Sequence, residues 1–70
     1  MRRRMEAVRK GYRLAVESGL YQEAKLLRMM IQNGRLLLGL DDVSQNVAMF
    51  LEDAGCYIQR NNNGTMVARI

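Results

Sequence analysis

Basic side chains recur at helical spacing through the first half of the chain, on segments with an apolar stripe on the opposite side. The bases at this spacing are Arg9, Arg13, Lys25, Arg28 and Arg35. Residues 1–35 hold nine Lys or Arg against three Glu, a net charge of +6, whereas residues 36–59 hold no base and four acids, a net charge of −4. Because positive charge is gathered on one part of the chain, the sequence predicts an anionic partner that these bases contact through its phosphates.

The residue types that carry catalysis or hold metal ions are scarce. The sequence contains no His and one cysteine, Cys56, which falls in a predicted strand and cannot close an internal disulfide. An adjacent acid pair, Asp41 and Asp42, has the composition of a catalytic dyad or a metal site, but its place before an apolar helical stripe favours helix capping. We therefore expect no enzymatic activity, no metal and no other cofactor.

Two amphipathic helices are predicted in the basic half. Apolar residues from Met5 to Val16 follow the i, i+3, i+7 spacing of one helical face, which predicts a helix over 3–17 that Ser18 and Gly19 end. A second stripe predicts a helix over 21–33, with the bases in line on its other side as far as Arg35. Since few residues join the two helices, we expect them to pack as an antiparallel helical hairpin.

A short strand and a third helix follow. The apolar run over 36–40 is too short for a buried helix, so it predicts a strand beside the C-terminal hairpin. Asp41 and Asp42 then open a helix, in which Asp42 and Gln45 fit a capping box. The helix should end at Gly55 and bury the stripe Val43, Val47, Phe50, Leu51 and Ala54.

The last residues predict a β-hairpin with a defined register. A three-residue loop over 62–64 pairs Asn61 with Thr65 and puts Gly64 at the left-handed position that such loops need. The residues that then share one face are Cys56, Ile58, Met66, Ala68 and Ile70. A loop of two or four residues would mix the two faces, so the apolar pattern favours three.

Residues 43–70 resemble the recognition helix and wing that end many small bacterial winged-helix repressors. The shared features are a polar helix start, Leu-Glu near the helix end, Gly, an apolar residue before Arg, a Gly-containing tip and a returning strand. The resemblance implies that Ser44, Gln45 and Asn46 face base edges, where hydroxyl and amide groups can pair with donors and acceptors. It also implies that Arg60 contacts phosphate or the minor groove beside the tip.

Together these patterns predict one small α+β domain over 1–70. It consists of an antiparallel helical hairpin, a short strand, a third helix and a C-terminal β-hairpin, arranged in a winged-helix-like way. The predicted function is that of a small basic nucleic-acid-binding regulatory protein, acting as a homodimer, with DNA favoured over RNA as the partner. No apolar run approaches the ~20 residues of a membrane span, so we expect a cytoplasmic protein without a membrane partner.

The alternative is a protein-binding adaptor or inhibitor of phage or mobile-element type that acts on a host protein. Met29, Met30 and Met49 add to the Leu-rich stripes and supply more apolar surface than a small monomer easily hides. Methionine side chains suit adaptable binding surfaces. Packing of the same residues in the core or in a homodimer interface is the competing explanation.

Overall fold

The computed structural model describes residues 2–70 and contains three helices and three strands. The helices are α1 (Arg2–Glu17), α2 (Tyr21–Asn33) and α3 (Asp42–Asp53), and the strands are β1 (Arg35–Leu38), β2 (Tyr57–Arg60) and β3 (Met66–Arg69). Their order along the chain, α1 α2 β1 α3 β2 β3, confirms the predicted α+β layout. None of the described helices has the length and apolar character needed to cross a membrane.

Helices α1 and α2 form a hairpin joined by residues 18–20. The chain leaves α1 through Gly19, which has a left-handed φ of +75°. The Gly19 N–H donates to the Val16 carbonyl at 3.1 Å, and the Leu20 N–H donates to the Ala15 carbonyl at 2.8 Å. These two bonds satisfy carbonyls that the helix end would otherwise leave unpaired, and they turn the chain back within three residues.

The three strands form one antiparallel sheet in the order β1-β3-β2, so the C-terminal strand lies at the centre. The predicted pairing of β1 with the β-hairpin is confirmed. The strand covers residues 35–38, so it begins one residue earlier and ends two residues earlier than the predicted range of 36–40. The carbonyl of Gly39 explains the early end. It accepts a hydrogen bond from the Gln45 side chain at 3.3 Å and so faces α3 instead of a neighbouring strand.

The hairpin has the predicted register. The Asn61 N–H donates to the Thr65 carbonyl at 2.8 Å, which closes the loop over 62–64, and Gly64 has a φ of +89°. The alternation along the strands places Met66 and Ala68 in the core, whereas Arg69 is exposed. The three-residue loop is therefore confirmed by both the backbone bonds and the burial pattern.

The core lies between one face of the sheet and the three helices. Its most deeply buried side chains are Val8, Met30, Leu38 and Leu51. The predicted partner contact at Met30 is wrong, because this side chain is 0% exposed. Met30 stands three residues after Leu27, one helical turn further along the same buried stripe, so it packs inward.

The start of α3 is capped one residue earlier than predicted. Asp41 has an extended backbone, and its carboxylate accepts hydrogen bonds from the Ser44 N–H at 3.1 Å and from the Ser44 hydroxyl at 2.9 Å. The predicted capping box between Asp42 and Gln45 is wrong. Asp42 already has helical geometry, and the Gln45 amide is bound to the Gly39 carbonyl.

We expect the Asp41 cap to make stability depend on pH. The two hydrogen bonds from Ser44 lower the pKa of the Asp41 carboxyl below its ordinary value. A lowered folded-state pKa contributes stability above the unfolded-state pKa and loses it as the pH falls through the folded-state pKa. Asp41→Ala should therefore lower the Tm by a few degrees at about pH 7 and by much less at about pH 2, measured by circular dichroism.

Asp42→Ala is the matched control for this measurement, because it removes the neighbouring carboxyl without removing the cap. It should change the Tm less than Asp41→Ala does at about pH 7. An equal loss of Tm at both pH values for Asp41→Ala would contradict the role of the ionised carboxylate.

Candidate nucleic-acid interface

All five predicted phosphate-binding bases are exposed in the structure. Four of them lie on the helical hairpin, opposite the buried stripes that include Val8 in α1 and Leu27 in α2. Among the side chains of residues 3–70, the one ion pair joins Arg60 to Glu52. The hairpin bases Arg9, Arg13, Lys25 and Arg28 are therefore exposed and make no ion pair with the side chains of residues 3–70.

Arg35 does not continue the line of bases on α2. The helix ends at Asn33, and Gly34 turns the chain with a left-handed φ of +72°. Arg35 consequently opens β1, where it is exposed on the sheet. The predicted alignment of Arg35 with Lys25 and Arg28 is wrong, because helical spacing cannot hold beyond the left-handed turn.

The polar start of α3 is less available than predicted. Ser44 is only 5% exposed and its hydroxyl is bound to Asp41, so its predicted contact with a base edge is wrong. Ser44 lies one and two helical turns before Ala48 and Leu51, on the side that packs into the core. Gln45 is half-buried, and its side-chain amide donates a hydrogen bond to the Gly39 carbonyl. Asn46 is therefore the exposed member of the three.

Polar side chains at the tip of the β-hairpin contact other residues of the protein. Arg60 Nη2 lies 3.7 Å from Glu52 Oε1, and both side chains are more than half exposed. The Asn63 carboxamide oxygen accepts from the Thr65 N–H at 3.0 Å and from its hydroxyl at 2.6 Å, and the Asn61 amide donates to the same hydroxyl at 3.0 Å. The predicted phosphate contact at Arg60 thus falls on a guanidinium that already has an anionic neighbour.

The structure also reveals a cationic group that the sequence did not identify as a site. Arg69 lies directly between Arg35 and Tyr57 in the strand register. Its guanidinium carbon is 5.3 Å from the centre of the Tyr57 ring, and that of Arg4 is 5.0 Å from the same centre. We name Arg4, Arg35, Tyr57 and Arg69 the arginine–tyrosine cluster.

Positive charge at this cluster also affects a neighbouring thiol. Burial of Cys56 raises the pKa of its thiol, and the charge of Arg4 opposes that rise. Strand alternation indicates from the sequence that Tyr57 and Arg69 share the outer face. The approach of Arg4 has no local sequence signal, because it depends on how α1 packs beside the end of α3, where the Arg4 side chain passes over Gly55.

An apolar cleft of about 360 Å³ opens between the three helices, away from the arginine–tyrosine cluster. Its walls include Leu14, Leu20 and Phe50, all of which are partly exposed. The Phe50 ring packs over Gly11 of α1, a position where a Cβ atom would overlap it. Phe50 was predicted in the core, and the structure places it at the cleft with 36% of its surface exposed.

Comparisons of the chain with protein-family models, with curated proteins and with solved structures each returned no match. The likeness to winged-helix repressors is a loose analogy, since β1 separates α2 from α3 and α3 carries no Lys or Arg.

Proposed function

We propose that this protein binds nucleic acid, with DNA favoured over RNA, through the exposed bases of its helical hairpin, and that it acts in regulation. The observation that carries the proposal is the exposure of Arg9, Arg13, Lys25 and Arg28 without an ion pair in residues 3–70. Phosphate contacts from such side chains supply most of the affinity in sequence-independent binding, because they release counterions from the nucleic acid.

Little sequence preference is expected from this arrangement. Base readout requires side-chain donors and acceptors that reach the edges of bases. Ser44 is buried and Gln45 is partly engaged, so Asn46 alone of the predicted group is exposed for that purpose. Regulation would then follow from occupancy of the nucleic acid more than from choice of a site.

A homodimer would present two helical hairpins and so double the number of phosphate contacts. Both strands β1 and β2 lie at sheet edges, where a second copy can pair. The dimer and a cytoplasmic location stay predictions of the sequence.

Single-charge variants test the role of the hairpin. Arg9→Gln and Arg13→Gln should each weaken binding to random-sequence duplex DNA by about five- to tenfold at about 100 mM salt, if each side chain contacts one phosphate. The loss should be uniform across sequences, since phosphates carry no sequence information. Fluorescence anisotropy with a labelled duplex measures the affinities.

Arg60→Gln is the matched control, because it removes the same charge from a guanidinium that lies 3.7 Å from a carboxylate. It should weaken binding by less than about twofold. A loss as large as those of Arg9→Gln and Arg13→Gln would show that only net charge matters and would contradict an interface on the hairpin.

A second candidate function is that of a protein-binding adaptor or inhibitor, and the apolar cleft favours it. Met49 is 62% exposed and Met29 is 40% exposed, in addition to the partly exposed walls of the cleft. A monomer rarely leaves large apolar side chains exposed together unless they serve an interface. An apolar side chain of a partner would fit a cleft of about 360 Å³.

Substitution of the exposed methionines tests this second candidate. Met29→Glu and Met49→Glu should abolish capture of a protein partner in a pull-down, because each places a charge in an apolar contact. Gln32→Glu introduces the same charge at an exposed polar position of α2 and should leave capture intact. Capture that is unchanged in both methionine variants would contradict the candidate.

A further inference from the structure

The outer face of the sheet forms a second cationic surface, separate from the bases of the helical hairpin. Strand alternation divides the sheet into two faces, and Leu36, Leu38, Met66 and Ala68 fill the core from the inner one. The side chains of the outer sheet face are Arg35, Leu37, Tyr57, Gln59, Val67 and Arg69. No Asp or Glu occurs in any of the three strands, so this face carries no negative side chain of its own.

The outer sheet face is organised in two rows that cross the strands. The register aligns Arg35, Arg69 and Tyr57 in the first row, and Arg4 joins them from α1 through its contact with the Tyr57 ring. Contact with an aromatic ring limits the positions that a guanidinium occupies, which reduces the entropy lost when it binds an anion. The first row therefore offers three guanidinium groups, two of which are held by Tyr57.

The second row is chemically different from the first. It aligns Leu37, Val67 and Gln59, again directly opposite one another across the strands. Leu37 is 70% exposed, so its side chain is accessible to a ligand on this face of the sheet. The row thus places the apolar side chains of Leu37 and Val67 and one amide group beside the arginines, about 7 Å away along the strands.

Resting on the proposed nucleic-acid function, we propose that the outer sheet face binds single-stranded nucleic acid. The arginine–tyrosine cluster binds the phosphates, and unpaired bases lie against Leu37 and Val67, with the Gln59 amide within reach of base edges. A duplex presents phosphates and sugars on its outside and keeps its base faces stacked. Its bases therefore cannot lie against the apolar side chains of the second row. A single strand exposes both its charge and its base faces, and the two rows complement both.

Two variants separate charge from apolar contact. Arg35→Gln combined with Arg69→Gln should weaken binding of a labelled single strand of mixed sequence by about 20-fold or more at about 100 mM salt. Leu37→Asn removes no charge and should weaken single-strand binding at least about threefold while leaving duplex binding unchanged. Arg9→Gln combined with Arg13→Gln removes the same two charges from the hairpin and is the matched control, with its larger loss expected on duplex DNA.

The outcomes distinguish this inference from the proposed function. If the sheet and hairpin double variants weaken single-strand binding equally and Leu37→Asn changes nothing, the sheet face is not the site, but nucleic-acid binding stands. Equal losses on duplex and single strand in the sheet variants also overturn the inference. If the unaltered protein binds neither nucleic acid, both proposals fail, and an acidic protein becomes the candidate partner for the arginines.

A measurement on the unaltered protein makes the test independent of how well the variants fold. Addition of the single strand to ¹⁵N-labelled protein should shift the amide signals of Arg35, Leu37, Val67 and Arg69 more than those of the hairpin helices. Shifts confined to α1 and α2 would overturn the inference.

Discussion

Leu51→Ala should leave a large fraction of the protein unfolded at room temperature. Leu51 is 0% exposed and lies on α3, which packs against both α2 and the sheet. Truncation of a buried leucine to alanine costs about 2–5 kcal/mol, because the removed methyl groups leave a cavity that closes only in part. A single core in a domain of this size supplies only about 3–5 kcal/mol in total, so the loss is comparable to the whole stability.

Chemical denaturation followed by circular dichroism measures this effect. Met49→Ala is the control on the same helix, since Met49 is 62% exposed and its truncation should change the free energy of unfolding by less than about 0.5 kcal/mol. If Leu51→Ala were no more destabilising than Met49→Ala, the packing of α3 against the core would be wrong.

Salt should weaken duplex binding about 100-fold between about 50 and about 200 mM. Four phosphate contacts, one from each base of the helical hairpin, give a slope of about −3.6 in a plot of the logarithm of affinity against the logarithm of salt concentration. Arg9→Gln combined with Arg13→Gln removes two contacts and should halve that slope. A slope near zero in the unaltered protein would mean that any binding does not depend on contacts with phosphates.

Local patterns in the sequence were sufficient to predict most of the backbone. Apolar periodicity and the glycines at 19, 34 and 55 predicted most helix ends to within about one residue. They could do so because left-handed turns depend on the local sequence. The hairpin register followed from the requirement that Ile58, Met66 and Ala68 share one face. The strand β1 was misplaced by one or two residues because its end depends on the bond between Gly39 and Gln45.

The candidate site was harder to predict, because it depends on contacts between distant parts of the chain. Ser44 looked polar and available, but the cap at Asp41 turns it inward. The spacing of bases predicts that Arg35 extends the line on α2, whereas the turn at Gly34 places it at the start of β1. There it joins Arg69, 34 residues later in the chain, in a row that only the strand order β1-β3-β2 creates.

Binding of the unaltered protein to random-sequence duplex DNA at about 50 mM salt is the most direct measurement of the central claim. Fluorescence anisotropy should show a Kd in the micromolar range, as expected for four phosphate contacts without base readout. An unchanged anisotropy up to about 100 μM protein would contradict duplex binding through the helical hairpin. It would favour the second candidate function, through the apolar cleft and the exposed side chains of Met29 and Met49.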